Sequence, residues 1–492
     1  MKRIHEAALL LGTAAVCASC SGILDVEPTS TITATSFWRT PDDALAGLNG
    51  MYARFRGEAS ANLYLWGGAR SDELDIGLQA SEGRERYFLN TLDATVSGPD
   101  WLSLYTVIHD ANLILKFVPE ITFIDEAGKQ NLLAQAHAMR AYTYFVMART
   151  WGGVPVVTDP TEGYDPAVSF RPRAEVGAVL TQIKTDIEEA LSLFPSDDFP
   201  ACRCQWSRPA VNALKGDVHL WTAKLLGGGD ADLNAALAAL QAAQQADAAL
   251  LGDFRSVFDY SNKGNHEILM AVRFADLESG ENYNNAMYVR DDQIPENVNP
   301  DARRLLGVGG GLNRWAPSAT LRGQFTDDDL RKDATLVEMF LTDAGGTPTS
   351  YYGSAVLKYR GFVDAGSRHF QDDVILYRYA DVLLLIAEAK NALGQDPSPE
   401  MNSVRQRAYG PNFPAHEFAA GSQDANDAAI LLERLREVAF EGKRWWDLVR
   451  FDNAFELVPS LQDRQGQEHL LLWPISQQTL SRNPEIQQNP GY

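Results

Sequence analysis

Paired carboxylates are the first chemistry this sequence offers: Asp72 stands beside Glu73, and Asp372 beside Asp373. A glycoside hydrolase needs two carboxyl groups facing each other across a cleft at a set separation. Neighbours in a chain with 65 Asp and Glu residues carry little of that information. The remaining sequence holds no GxSxG elbow, phosphate-binding loop, HExxH pair or dinucleotide fingerprint. Its histidines are scattered without metal-ligand spacing, and His137 reads as a satisfied histidine within a helix. The chain is therefore expected to bind rather than to catalyse, with no cofactor and no metal. A surface hydrolase built on the acidic pairs is the enzymatic alternative.

Binding chemistry is better represented. Sugars present flat C–H faces ringed by hydroxyls, so a site for them combines aromatic platforms with amide, carboxylate or guanidinium groups at the rim. Two stretches have that mixture. One is Tyr64, Trp66, Arg70 and Asp72, and the other is Tyr283, Asn285 and Tyr288 together with Trp315. These eight residues are the candidate ligand contacts, and both groups read as loops. The competing expectation is that Trp66 and Trp315 fill the core beneath long loops.

The ends and the charge limit where such a site can operate. Lys2 and Arg3 precede an apolar run, Ala7–Val16, and small residues Ala18 and Ser19 precede Cys20. That is the order of a bacterial lipoprotein signal, with the Cys20 thiol taking the lipid. Cys17 occupies a position usually held by Leu, so cleavage at an ordinary signal-peptidase site stays open as the alternative. The run is shorter than the roughly 20 residues a membrane-spanning helix needs. Residues 1–19 are thus expected to be removed, 20–36 to form a lipidated tether, and 37–492 to fold as one domain. The net charge of −22 argues against nucleic acid as the partner. Cys202 and Cys204 frame one arginine and read as an incidental loop pair, oxidised or not.

The elements that must position the site are helical. Thr40-Pro41-Asp42-Asp43 is a helix start, with Thr as N-cap and Pro at the first turn. Three- and four-residue apolar spacing then predicts helices over Trp101–Val118, from near Glu126 to Trp151, and over Ala174–Leu193, Arg208–Leu226, Leu233–Leu250 and Tyr377–Gly394. Asp427–Phe451 reads as one last helix interrupted at Gly442. On it Glu433, Glu437 and Glu441 are expected to salt-bridge Arg434, Arg436 and Arg444, and Trp445 and Trp446 must point apart. Gly57–Asp100 and residues 254–366 are weakly periodic, apart from a strand over Glu267–Phe274. Such long irregular segments are more often functional than idle. Helices of similar length joined by short loops suggest degenerate tetratricopeptide-like pairs without an exact 34-residue repeat.

Several strings carry a resemblance. ERLREVAFEGKRWWDLVR, AQAHAMRAYTYFVMARTWGGVPVV, RYADVLLLIAEA with the following NSVRQRA, and the closing LWPI…NPGY stand in the order found in the SusD/RagB family of outer-membrane nutrient-binding lipoproteins. The resemblance covers essentially the whole chain after the leader and departs in its variable middle. It implies a mainly α fold of degenerate tetratricopeptide-like repeats with a loop and short-strand ligand face. It also implies an outer-membrane, outward-facing, lipid-anchored protein that captures oligosaccharides. The implied partner is a SusC-like TonB-dependent transporter, over whose mouth the lipoprotein sits as a lid. Peptides are the alternative cargo, as in the RagB branch, and a plain helical scaffold is a further possibility.

Overall fold

The computed structural model describes residues 37–492 apart from 80 and 164. The expected leader, the tether and Cys20 lie outside the described residues.

Helix α1, Pro41–Gly67, starts as its sequence predicts. Thr40 Oγ1 accepts the Asp43 amide at 3.2 Å, and the Asp43 carboxylate accepts the Thr40 amide at 2.8 Å. The helix does not stop near Gly57. Buried Phe55, Ala59, Leu63 and Trp66 keep the helical spacing through three further turns. Tyr64 and Trp66 therefore sit on the last turns of α1, not on a loop.

α2 (Leu102–Phe117), α3 (Glu126–Trp151), α4 (Val176–Leu193), α5 (Arg208–Leu225) and α6 (Gly229–Gln244) follow, each packing on the one before. α6 ends short of the expected Leu250. The N-caps of α1 and α3 are side chains, and Gly152, at φ 77°, ends α3 in a conformation that disfavours other residues. After the variable middle come α7 (Tyr379–Ala392), which packs on α6, then α8 (Ser398–Tyr409), α9 (Gln423–Glu437) and α10 (Arg444–Arg450). This succession of packed helices is the tetratricopeptide-like architecture the spacing implied.

Two expectations about helix limits are corrected. Tyr377 and Arg378 belong to a strand that leads into α7. The predicted last helix is two helices, because Phe440 (φ 63°) and Gly442 (φ 67°) turn the chain between α9 and α10. The turn gives Lys358 Nζ the carbonyls of Glu437 (2.7 Å) and Ala439 (2.9 Å) and the Glu441 carboxylate (2.7 Å). The glutamates of α9 and Glu441 of the turn after it also do not pair along the chain. Glu433 takes Arg331 and Arg405, Glu437 takes Arg331, Arg378 and Arg407, and Glu441 takes Arg378 and Lys358. Arg434 pairs with Asp381 and Asp447, and Arg444 with Asp72.

The middle of the chain is less irregular than its sequence. β1 (Leu74–Ile76) pairs antiparallel with β3 (Trp315–Pro317), and β2 (Ile268–Val272) with β8 (Val374–Arg378). β4 (Leu336–Thr342) pairs with β5 (Pro348–Val356), and β6 (Phe362–Asp364) with β7 (Ser367–His369). This region has its own small core of Tyr288, Leu306, Met339, Leu357 and Phe370. The closing segment returns to the helices, where Asn489 Nδ2 donates to the carbonyls of Trp151 (3.2 Å) and Trp473 (2.9 Å).

Candidate functional site

Seven of the eight predicted contacts lie in the interior, so they are not the exposed platform their types suggested. The reason differs from residue to residue. Trp66, fully buried, donates its indole N–H to the Pro99 carbonyl at 3.1 Å and meets Trp151 edge to face. Arg70 donates to Asn90 Oδ1 (2.7 Å) and to the carbonyls of Leu470 and Leu472, with its guanidinium 4.5 Å from the Trp445 ring centre. Asp72 takes Arg444 in a two-pronged pair, 2.7 Å on each arm. Tyr288 donates to the Leu306 carbonyl at 2.5 Å inside the small core. Tyr64, Tyr283 and Trp315 form an internal ladder, Tyr64 stacked on Tyr283 with centroids at 4.7 Å and edge to face with Trp315 at 6.3 Å. Burial drives the hydroxyls of Tyr64 and Tyr283 well above the usual phenol range. Asn285 alone remains half-buried, donating to Glu281.

The ladder nevertheless reaches the surface. Tyr87 continues it from Trp315 at 5.6 Å and is half-buried, its hydroxyl pushed up by burial to about 12. Around this end three segments meet. Leu78 donates its amide to Asn313 Oδ1 (2.7 Å), and Gln79 donates its amide to the Asn313 carbonyl (3.1 Å). Leu312 donates to the Asn285 carbonyl at 2.8 Å, and Arg314 to that of Ala286 at 2.7 Å. Gln79, Arg314, Asn285 and Tyr87 are thereby brought to one mouth.

Two polar atoms there are buried without a hydrogen-bond partner: Gln79 Oε1 and Arg314 Nε. Buried polar atoms without partners are uncommon and ask for an explanation, a bound group or water among them. Asn313 (φ 47°) holds left-handed backbone at the same mouth, the kind of strain that gathers at binding sites.

Beside the mouth, the β4–β5 hairpin raises an exposed ring. Tyr351 is 44% exposed, with Phe340 edge-on across the hairpin and the Arg322 guanidinium 4.2 Å from its ring centre. Tyr351 donates to Ser354 Oγ at 3.0 Å, and Asn313 Nδ2 donates to the Ser354 carbonyl at 3.0 Å, which ties the ring to the mouth. Arg322 also meets Glu338 at 3.0 Å. An aromatic face bordered by guanidinium, carboxylate and amide groups is the chemistry sought for a sugar. It lies on residues the sequence did not single out. The strand alternation around Phe340 and the Tyr351-Tyr352 pair was the available signal. Among the described residues no three His, Cys, Asp or Glu side chains gather in a way that would hold a metal ion.

Comparison with known proteins agrees with this architecture. The family model described as the SusD family matches residues 260–492, and one described as starch-binding associating with outer membrane matches residues 79–220. NanU of B. fragilis is 34% identical in sequence over 95% of this chain and 100% of its own, with a TM-score of 0.81. A solved laminarin binding SusD-like protein is 26% identical, covering 92% of this chain and all of its own, with a TM-score of 0.74. SusD-like protein P38 of Formosa agariphila is 28% identical, with 100% of this chain and 99% of the relative aligned. The chain belongs to the SusD family.

Proposed function

We propose that this protein captures glycan chains at the Tyr351–Arg314 face and delivers them to a SusC-like TonB-dependent transporter, without cleaving them. The observation that carries the reading is an exposed aromatic ring beside two unpartnered buried polar atoms, on strained backbone. Pyranose C–H faces stack on the ring, and ring hydroxyls meet Gln79, Arg314 and Asn285. The laminarin binding relative supports carbohydrate as the ligand class.

The family model's outer-membrane description supports association with that membrane, and a lipid on Cys20 is the anchor we propose. No described helix is long and apolar enough to cross a membrane. Capture and release follow from different affinities of the open and the transporter-closed states for the same ligand.

A panel of neutral and acidic polysaccharides, titrated calorimetrically and followed for product, tests this. Binding without turnover, weakened by Tyr351→Ala and by Arg314→Ala, is expected. Unchanged affinity in both variants removes this face from the proposal. Product formation overturns the non-enzymatic reading.

A further inference from the structure

Two cavities are lined by none of the residues of the Tyr351 face. One, of about 340 Å³, is lined by Asn131, Gln135, Phe194, Phe199, Trp206 and neighbours. The other, of about 320 Å³, is lined by Asn49, Tyr52, Arg56, Gln205 and neighbours. Each is at the lower end of the size range of ligand sites, roughly 300–1,000 Å³. Gln205 lines both cavities, and Tyr52 and Gln135 join them, since Tyr52 Oη donates to Gln135 Oε1 at 2.8 Å and accepts the Trp206 amide at 2.9 Å.

The segment that borders both cavities is held at several points. Cys202 and Cys204 are joined by a disulfide, and Arg203 between them is held at φ 48°. Its guanidinium donates to the carbonyls of Ile268 (2.8 Å) and Asp247 (2.7 Å) and lies 4.0 Å from the Phe199 ring centre. The cysteine pair, expected in a loop as oxidised or not, is oxidised and lies in the segment that borders both cavities.

The lining chemistry indicates the occupant. Its charged groups are engaged within the protein: Asp125 caps α3, Asp198 accepts from Ser196 Oγ, and Glu278 faces Arg56 and Arg273. Amides and aromatic faces remain to meet a ligand. Trp206 Nε1 and Ser207 Oγ are buried atoms without a hydrogen-bond partner. Such a surface suits a neutral, hydroxyl-rich chain and offers nothing specific to an anion.

We propose that these two cavities form one groove that binds a neutral oligosaccharide, as a second site independent of the Tyr351–Arg314 face. Calorimetry of the full chain with neutral linear oligosaccharides tests it, comparing the parent with Arg314→Ala, with Asn131→Trp, with Gln205→Ala and with the paired variants. Two sites per chain are expected, one lost in Arg314→Ala and the other lost in Asn131→Trp. Gln205→Ala should weaken the groove about tenfold, equivalent to one decade in Kd. Equal thermal midpoints confirm that each variant folds, and Gln205→Asn serves where the alanine variant does not.

A single site that vanishes in Arg314→Ala and is untouched by the groove variants overturns the inference and leaves the first site standing. A single site that vanishes only in the groove variants supports the groove and overturns the Tyr351–Arg314 reading. No binding of any neutral oligosaccharide overturns the groove, while acidic polysaccharides still test the other face.

Discussion

Arg378 is fully buried, yet it carries a full charge because its neighbours are built around it. Its guanidinium donates to Glu267 (2.8 Å), Glu437 (2.6 Å), the Glu437 carbonyl (2.6 Å) and Glu441. Removing one partner of a buried ion network leaves the others desolvated and uncompensated. Arg378→Met should therefore cost about 3–5 kcal/mol, read from the denaturant midpoint. Tyr351 is the opposite case. It lies on the surface, so Tyr351→Ala should leave stability within about 0.5 kcal/mol while weakening glycan binding. A large loss of stability in that variant would mean the ring serves the fold.

At the scale of elements, the end of α1 depends on a close approach. A Cβ on Gly67 would stand 1.8 Å from the Gly442 carbonyl oxygen, a backbone atom that no side-chain rotation can clear. Gly67→Ala should therefore push α1 off the α9–α10 turn and destabilise by about 1–3 kcal/mol or more, seen as a lower thermal midpoint. At the other end of the same helix, Thr40→Ala removes the N-cap and should cost about 1 kcal/mol. A loss at Thr40 as large as that at Gly67 would show that capping, not docking, governs α1. The sequence suggests an earlier end because Gly57 looks like punctuation, yet Gly57 is solvent-facing and the helix runs on to buried Gly67.

Across the whole molecule, acid should unfold this protein for an identifiable reason. Burial raises the carboxyls of Asp381, Glu388 and Glu437, but facing cations outweigh it: Lys443 and Arg434 at Asp381, Arg450 at Glu388, Arg407 and Arg378 at Glu437. Glu388 is held at about 2, and the other two lower still. Carboxyls depressed on folding give stability that is present above their unfolded values near 4 and lost as pH falls through the folded ones.

Glu73 runs the other way. Burial raises it to about 8 from 4.5, and its Oε1 has no partner. The folded state then holds a proton that the unfolded state releases, so this group's contribution declines as pH rises from about 4.5 to 8. Glu73→Gln should flatten that decline in thermal midpoints measured across pH. An unchanged slope would sink the assignment.

The sequence by itself determined the helices and their order. Apolar spacing and caps are local, and Thr40, Gly152 and the stripes of α2 to α5 act through residues a few positions away. It also determined the family, through ordered strings that the structure shows to be junctions: the ERLREVAFEG string makes the buried ion network, and LWPI…NPGY seals α3. What only the tertiary structure decided was exposure. Tyr64, Trp66, Tyr283, Tyr288 and Trp315 have the composition of a sugar platform and became core. Arg70 and Asp72 became staples across nearly the full length of the chain. An aromatic ring stacks equally well on a sugar or on another ring, so its type states no preference. The choice belongs to long-range packing, which put Tyr351 on the surface and left Gln79 and Arg314 with unpartnered atoms at its side.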